Sequence, residues 1–212
     1  MRNCSALRPE TAALLLDLDG TLVDSEGFHR QVFRNWFAAR GWSVGEEALA
    51  GFTGRRADDV LANEPGPWAG EDVATMLAEL LAGMAALPRP ELAAGASDLL
   101  AAVEVPLALV TSANAAWART CLGELFDGFA VVVTRDDVAN GKPHPEPYQL
   151  ACRRLAVAAA ECVAVEDAPA GVASAVAAGI GKVIAISGTF PADELAAAHV
   201  VVPTLNRVRA LL

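Results

Sequence analysis

From residue 96 onward the chain alternates short apolar runs with amphipathic stretches, and one further apolar run stands alone near the start, at 12–16. The runs at 107–110, 130–133, 162–165, 183–186 and 199–202 have the length and bulk of strands buried on both faces. The stretches between them, 96–103, 115–122, 147–155 and 168–178, carry apolar residues at helical spacing. Such alternation predicts a parallel sheet with helices on both faces. The run at 12–16 has no strand near it in sequence. Helical patterns follow instead at 27–40, from Glu46, near 58–61 and at 71–84, broken by a loop at 63–70 that holds two prolines and two glycines. The first strand must therefore join the later sheet, and the helical block between is an insertion.

The fold class expected is α/β: a Rossmann-like three-layer sandwich with a parallel sheet, formed by residues 1–23 and 88–212, with an inserted α-helical cap at 24–87. The 212 residues, 54% of them hydrophobic, suffice for one such core with a smaller insertion. The net charge of −10 repels phosphate backbones and argues against nucleic acid as a partner. The longest apolar runs fall far short of a membrane span. Residues 1–10 hold no apolar core of signal-peptide length. Cys4, Cys121, Cys152 and Cys162 show no Cys-x-x-Cys spacing and no clustered histidine, which suits free thiols in a reducing cytosol. A cytoplasmic location follows as an expectation. Lysine occurs only as Lys142 and Lys182, so each merits attention.

Ligands of open α/β sheets sit beyond the carboxyl ends of the strands. After the first strand come Asp17, Asp19, Gly20 and Thr21; after the second, Thr111 and Ser112; beyond the third, Lys142; after the fourth, Glu166 and Asp167. Two residues apart on extended chain, Asp17 and Asp19 point to the same side. Carboxylates gathered this closely stay ionised together only around a cation. An all-oxygen ligand set favours Mg²⁺. That ion would also offset the repulsion between a carboxylate and a phosphate dianion, so that the carboxylate can act as a nucleophile. A hydroxyl and a lysine would hold the phosphate oxygens.

Four segments carry a resemblance that spans nearly the whole chain. Asp17-Leu18-Asp19-Gly20-Thr21-Leu22-Val23-Asp24-Ser25 resembles the first motif of the haloacid-dehalogenase-like hydrolase superfamily. Thr111-Ser112 resembles the second, Gly141-Lys142-Pro143-His144-Pro145-Glu146-Pro147-Tyr148 the third, and Val165-Glu166-Asp167-Ala168-Pro169-Ala170-Gly171 the fourth. The resemblance implies that Asp17 is the nucleophile that becomes phosphorylated. It implies that Asp19 is the general acid and base and lends a backbone carbonyl to Mg²⁺. Thr111 and Lys142 would bind phosphate. Asp167 would complete the protein's metal ligands, with Glu166 as a further ligand or behind them. The superfamily's carbon–halogen-cleaving members lack an acid two positions after the nucleophile, because a halide leaves without a proton; Asp19 therefore favours phosphoryl transfer.

Within the superfamily the chain resembles the sugar and polyol phosphatases with a small helical cap, which implies a small phosphorylated metabolite as substrate and a monomeric enzyme. His29, Arg55 and Arg56 are candidate contacts to the leaving group, and Ser112 and Asn114 candidate contacts near the phosphate. Arg55 and Arg56 are adjacent, so at most one of the two is expected to face the site. The rival reading is a β-phosphoglucomutase, which grips a second phosphate with basic cap residues. Its cap arginine aligns with Ala57, and the cap has no lysine. A binding protein on an inactive scaffold would have lost Asp17, Asp19, Lys142 or Asp167, and all four are present. His144, Tyr148 and the four tryptophans are expected to pack. Ala94-Gly95 departs from the Pro-Gly common in relatives, with a local backbone effect expected.

Overall fold

Residues 11–212 are described by a computed structural model, so the readings of 1–10, Cys4 among them, fall outside the described residues. Six strands form one sheet: β1 (Ala13–Leu16), β2 (Leu107–Val110), β3 (Val131–Val133), β4 (Cys162–Glu166), β5 (Lys182–Ile186) and β6 (Val200–Val202). Their order is β3-β2-β1-β4-β5-β6, and every pairing is parallel. The isolated first strand lies at the centre, with Leu15 opposite Ala108 on one side and Ala164 on the other.

Strand residues alternate between two cores, as the twofold period of a strand requires. Leu14, Leu16, Leu109, Val165 and Ile184 enter one cluster, while Ala13, Leu15, Ala108, Ala164 and Ala185 enter the other. The second face is rich in alanine, which lets α7 (Glu146–Leu155) and α8 (Pro169–Ala177) approach the sheet closely. On the first face lie α5 (Ala96–Ala102) and α6 (Ala115–Leu122). This is the three-layer α/β sandwich expected from the sequence.

Between β1 and β2 the chain forms α1 (Glu26–Ala39), α2 (Glu46–Ala50), α3 (Ala57–Asn63) and α4 (Val73–Ala85). They bury a separate cluster drawn from residues 28–87, centred on Val32, Trp36, Phe37, Phe52, Trp68 and Met76. Phe37 stacks on Trp68 with ring centroids 6.0 Å apart. The insertion thus has an apolar centre of its own, and the sheet core does not depend on it. Near the rejoining chain, Gly95 caps α5, and Val23 bridges to Leu92. The departure at Ala94-Gly95 remains a matter of local backbone.

Candidate active site

Strand order reverses between β1 and β4, which places a crevice at their carboxyl ends. Asp17 follows β1 directly; Glu166 ends β4 and Asp167 follows it. All three are nearly inaccessible to water. Each offers a carboxylate oxygen within 4.8 Å of the others. Lys142, delivered by the loop before α7, reaches the same point. Its ammonium donates to Asp17 Oδ1 at 2.5 Å, to Glu166 Oε1 at 2.6 Å and to the carbonyl of Val110 at 2.9 Å. The Tyr148 hydroxyl donates to the same Glu166 oxygen. Glu166 therefore holds the lysine from behind, and the tyrosine holds Glu166.

The charges do not balance within the protein. Three carboxylates face one ammonium, which would leave an excess of two negative charges in a buried site if all three were ionised. Burial pushes the Asp17 carboxyl well above its ordinary range; Lys142 opposes the shift, and Glu166 and Asp167 add to it. Burial and the neighbouring Glu166 likewise push Asp167 up to about 7. Burial alone would strip the proton from Lys142, but Asp17 and Glu166 outweigh it and hold the ammonium above its ordinary range. Asp167 Oδ2 is buried with no hydrogen-bond partner. A divalent cation would supply the missing charge and occupy that oxygen. Because every donor is oxygen, the set suits Mg²⁺.

Glycines make room for these acids. Gly20 takes a positive φ of 81°, and a Cβ there would lie 1.9 Å from Asp167 Oδ2. At Gly171, in the first turn of α8, a Cβ would lie 2.0 Å from the Glu166 carboxylate. Asp17, Asp19 and Asp167 line the floor of a cavity of about 390 Å³ that runs up between the sheet edge and the helical insertion.

The model of the haloacid dehalogenase-like hydrolase family matches residues 11–179. The chain is a haloacid dehalogenase-like hydrolase. It is 38% identical over 203 residues to the validoxylamine A 7'-phosphate phosphatase of Streptomyces hygroscopicus subsp. limoneus, covering 92% of this chain and 94% of that one. It is 37% identical over 210 residues to hexitol phosphatase A of Escherichia coli, covering 93% and 88%. Among solved structures it is similar to CbbY from Rhodobacter sphaeroides in complex with phosphate, with a TM-score of 0.76 and 29% identity over 92% of this chain and 94% of that one.

The hydrolase places its other predicted site residues unevenly. Thr111, Ser112 and Asn114 line the cavity at the end of β2. Thr111 Oγ1 accepts from the backbone N–H of Ala113, the Ser112 hydroxyl reaches the carbonyl of Gly54, and the Asn114 side chain caps α6. His29 lies on the insertion side with Nε2 3.7 Å from Asp19 Oδ1. Arg55 lines the cavity and pairs with Glu64 at 3.0 Å. Arg56 does not reach the cavity. It lies against Gly141 and reaches Val138 O, with Asp58 and Asp59 beside it, so it ties the insertion to the lysine loop. Of the adjacent pair, only Arg55 lines the cavity, while the Arg56 guanidinium is surrounded by carboxylates and backbone, which matches docking. His144 is half exposed and accepts from the backbone of Glu146.

Sequence reasoning missed three contributors. The Asp19 carboxylate lies outside the group of buried acids and accepts from the indole N–H of Trp117 at 3.1 Å. Trp117 lies three residues beyond the helix cap at the end of β2, a position that necessarily faces the sheet's carboxyl edge; that placement was the available signal. Tyr148 packs as expected and also holds Glu166. Thr189, after β5, faces Gly20 and Asp167 from a loop with no motif to mark it. Lys182 bonds the carbonyl of Leu211, and Cys121, Cys152 and Cys162 are free and buried. Among the described residues no helix is long and apolar enough to cross a membrane.

Proposed function

We propose that this hydrolase is a Mg²⁺-dependent phosphatase that hydrolyses a small phosphorylated metabolite, a sugar or polyol phosphate, through an aspartyl-phosphate. The observation that carries the reading is the buried group of Asp17, Lys142, Glu166 and Asp167 beneath a cavity, with its three carboxylates facing one ammonium and the acid Asp19 two residues from Asp17. Two relatives are named validoxylamine A 7'-phosphate phosphatase and hexitol phosphatase A, which supports the same class.

In this reading Asp17, Asp167 and the main-chain carbonyl of Asp19 hold Mg²⁺, with Glu166 behind them. When bound, the ion neutralises the repulsion between carboxylate and phosphate dianion. Lys142 and Thr111 bind phosphate oxygens, with Ser112 and Asn114 at the same end. A carboxylate oxygen of Asp17 forms a bond to phosphorus as the ester P–O bond breaks. Asp19 gives its proton to the leaving alkoxide, then takes a proton from the water that attacks the acyl phosphate. Inorganic phosphate leaves and Asp17 is restored. Residues 24–87 act as a cap over a core of 1–23 and 88–212, with His29 and Arg55 at the leaving-group end. The enzyme works in the cytoplasm as a monomer.

The test is release of phosphate from p-nitrophenyl phosphate. Activity should require Mg²⁺, vanish with EDTA, and disappear in Asp17→Asn while circular dichroism stays unchanged. Wild-type turnover by Asp17→Asn would overturn the nucleophile. A mutase would instead make glucose 6-phosphate from β-glucose 1-phosphate with little free phosphate, so both products are measured in one assay.

A further inference from the structure

The cavity does not stop at the phosphate-binding end. Under the cap it is walled by Phe33, Phe52, Leu80, Leu81 and Met84, and Trp117 closes it from the core side. Three aromatic rings and three aliphatic side chains make a surface that favours carbon over hydroxyl.

The charges at this end point the same way. Between residues 24 and 87 ten acidic side chains stand against five arginines, and no lysine occurs. Three arginines line the cavity, and carboxylates hold each one: Arg30 by Glu26 and Glu46, Arg55 by Glu64, and Arg135 by Asp58. Turning any of them toward a second anion would break its ion pair, beside a lining to which Glu26 and Asp136 add negative charge.

We infer that the leaving group is a neutral alcohol with a carbon-rich ring face, and that the cap rejects esters whose leaving group carries a carboxylate or a second phosphate. This rests on the phosphatase reading above. The ring face lies against the aromatic wall, while the phosphate goes to Lys142 and Thr111. A second negative charge would enter a largely apolar chamber whose three arginines are already paired with carboxylates, beneath a cap that is itself negative.

Three esters of primary alcohols test the inference, with Mg²⁺ present and free phosphate as readout: cyclohexylmethyl phosphate, glycerol 3-phosphate and 3-phosphoglycerate. The last two are close in size and differ by one carboxylate. Wild-type kcat/KM should fall at least about tenfold from glycerol 3-phosphate to 3-phosphoglycerate, because like charges are brought together. It should rise at least about fivefold from glycerol 3-phosphate to cyclohexylmethyl phosphate, as a hydrophobic pocket gives for added carbon. Leu81 is half exposed at the rim, so Leu81→Lys should fold and should move the first ratio at least about tenfold toward 3-phosphoglycerate. If all three esters are hydrolysed with the anionic one equal or preferred, the inference falls and the phosphatase reading stands. The same holds if the ring ester gains nothing or if Leu81→Lys leaves the ratio unchanged. If no ester releases phosphate, both fall.

Discussion

Asp19 is met from opposite walls of the cavity: the Trp117 indole donates to it from the core, and the His29 imidazole of the insertion lies 3.7 Å away. Trp117 also stacks on Phe28 of α1 at 5.0 Å, so one ring links the acid to the cap. We assign Trp117 a positioning role: its bond fixes where Asp19 rests before the ester arrives. Trp117→Phe keeps the stack and removes the donor. A hydrogen bond to a charged group contributes about 1.5–3 kcal/mol, so the expected loss is roughly ten- to a hundredfold in kcat/KM for an alkyl phosphate. For p-nitrophenyl phosphate, whose leaving group departs without a proton, kcat/KM should change little. Equal losses on both esters would mean that the indole acts only through packing. The placement of Trp117 near a strand end was legible in the sequence, but the partner of its N–H was not, because a tryptophan at helical spacing reads as core and an indole N–H has no periodic signature. Asp17, Lys142 and Asp167 were legible, since each stands at the end of a strand or in the loop that follows one.

At the level of elements, local pattern carried far. The run 107–110 and the stretch 115–122 coincide with β2 and α6, and the other strands and the longer helices differ by a residue or two at their ends. Small apolar residues between charged or glycine-rich loops leave few alternatives to a buried parallel strand. The short 3-10 turns at Gly123–Gly128 and Arg135–Asp137 were not predicted, because they arise where the chain must reach the next strand. Helix α8 shows how the site overrides propensity. Gly171 sits inside it, where alanine ordinarily stabilises a helix by about 1 kcal/mol. Here the added methyl would displace the Glu166 carboxylate from Lys142 and Tyr148. Gly171→Ala should therefore lower stability by about 1–3 kcal/mol. It should also abolish most activity. Thermal melting and the phosphate assay read the two effects separately, and a higher melting temperature in Gly171→Ala would contradict the account.

For the whole molecule, the group of buried carboxylates beneath the cavity would couple a bound divalent cation to folding. A cation bound only by the folded state at about ten times its Kd adds roughly 1.4 kcal/mol. For a chain of this size that corresponds to a rise of about 3–6 °C in Tm. Mg²⁺ should produce such a rise in the wild type, and Asp167→Asn should lose it while still folding. An equal rise in Asp167→Asn would place the ion elsewhere. The sequence by itself determined the strands, the helical insertion after the first of them, and the four acid- and lysine-bearing segments, because hydrophobic period and strand-end placement are local properties of the chain. Only the tertiary structure decided the order that puts β1 beside β4, the stacking of Trp117 between Asp19 and the insertion, the removal of Arg56 from the cavity, and the apolar wall above the buried acids. Those features depend on which distant segments meet, and contacts between distant segments are fixed by packing the whole chain rather than by any stretch of it.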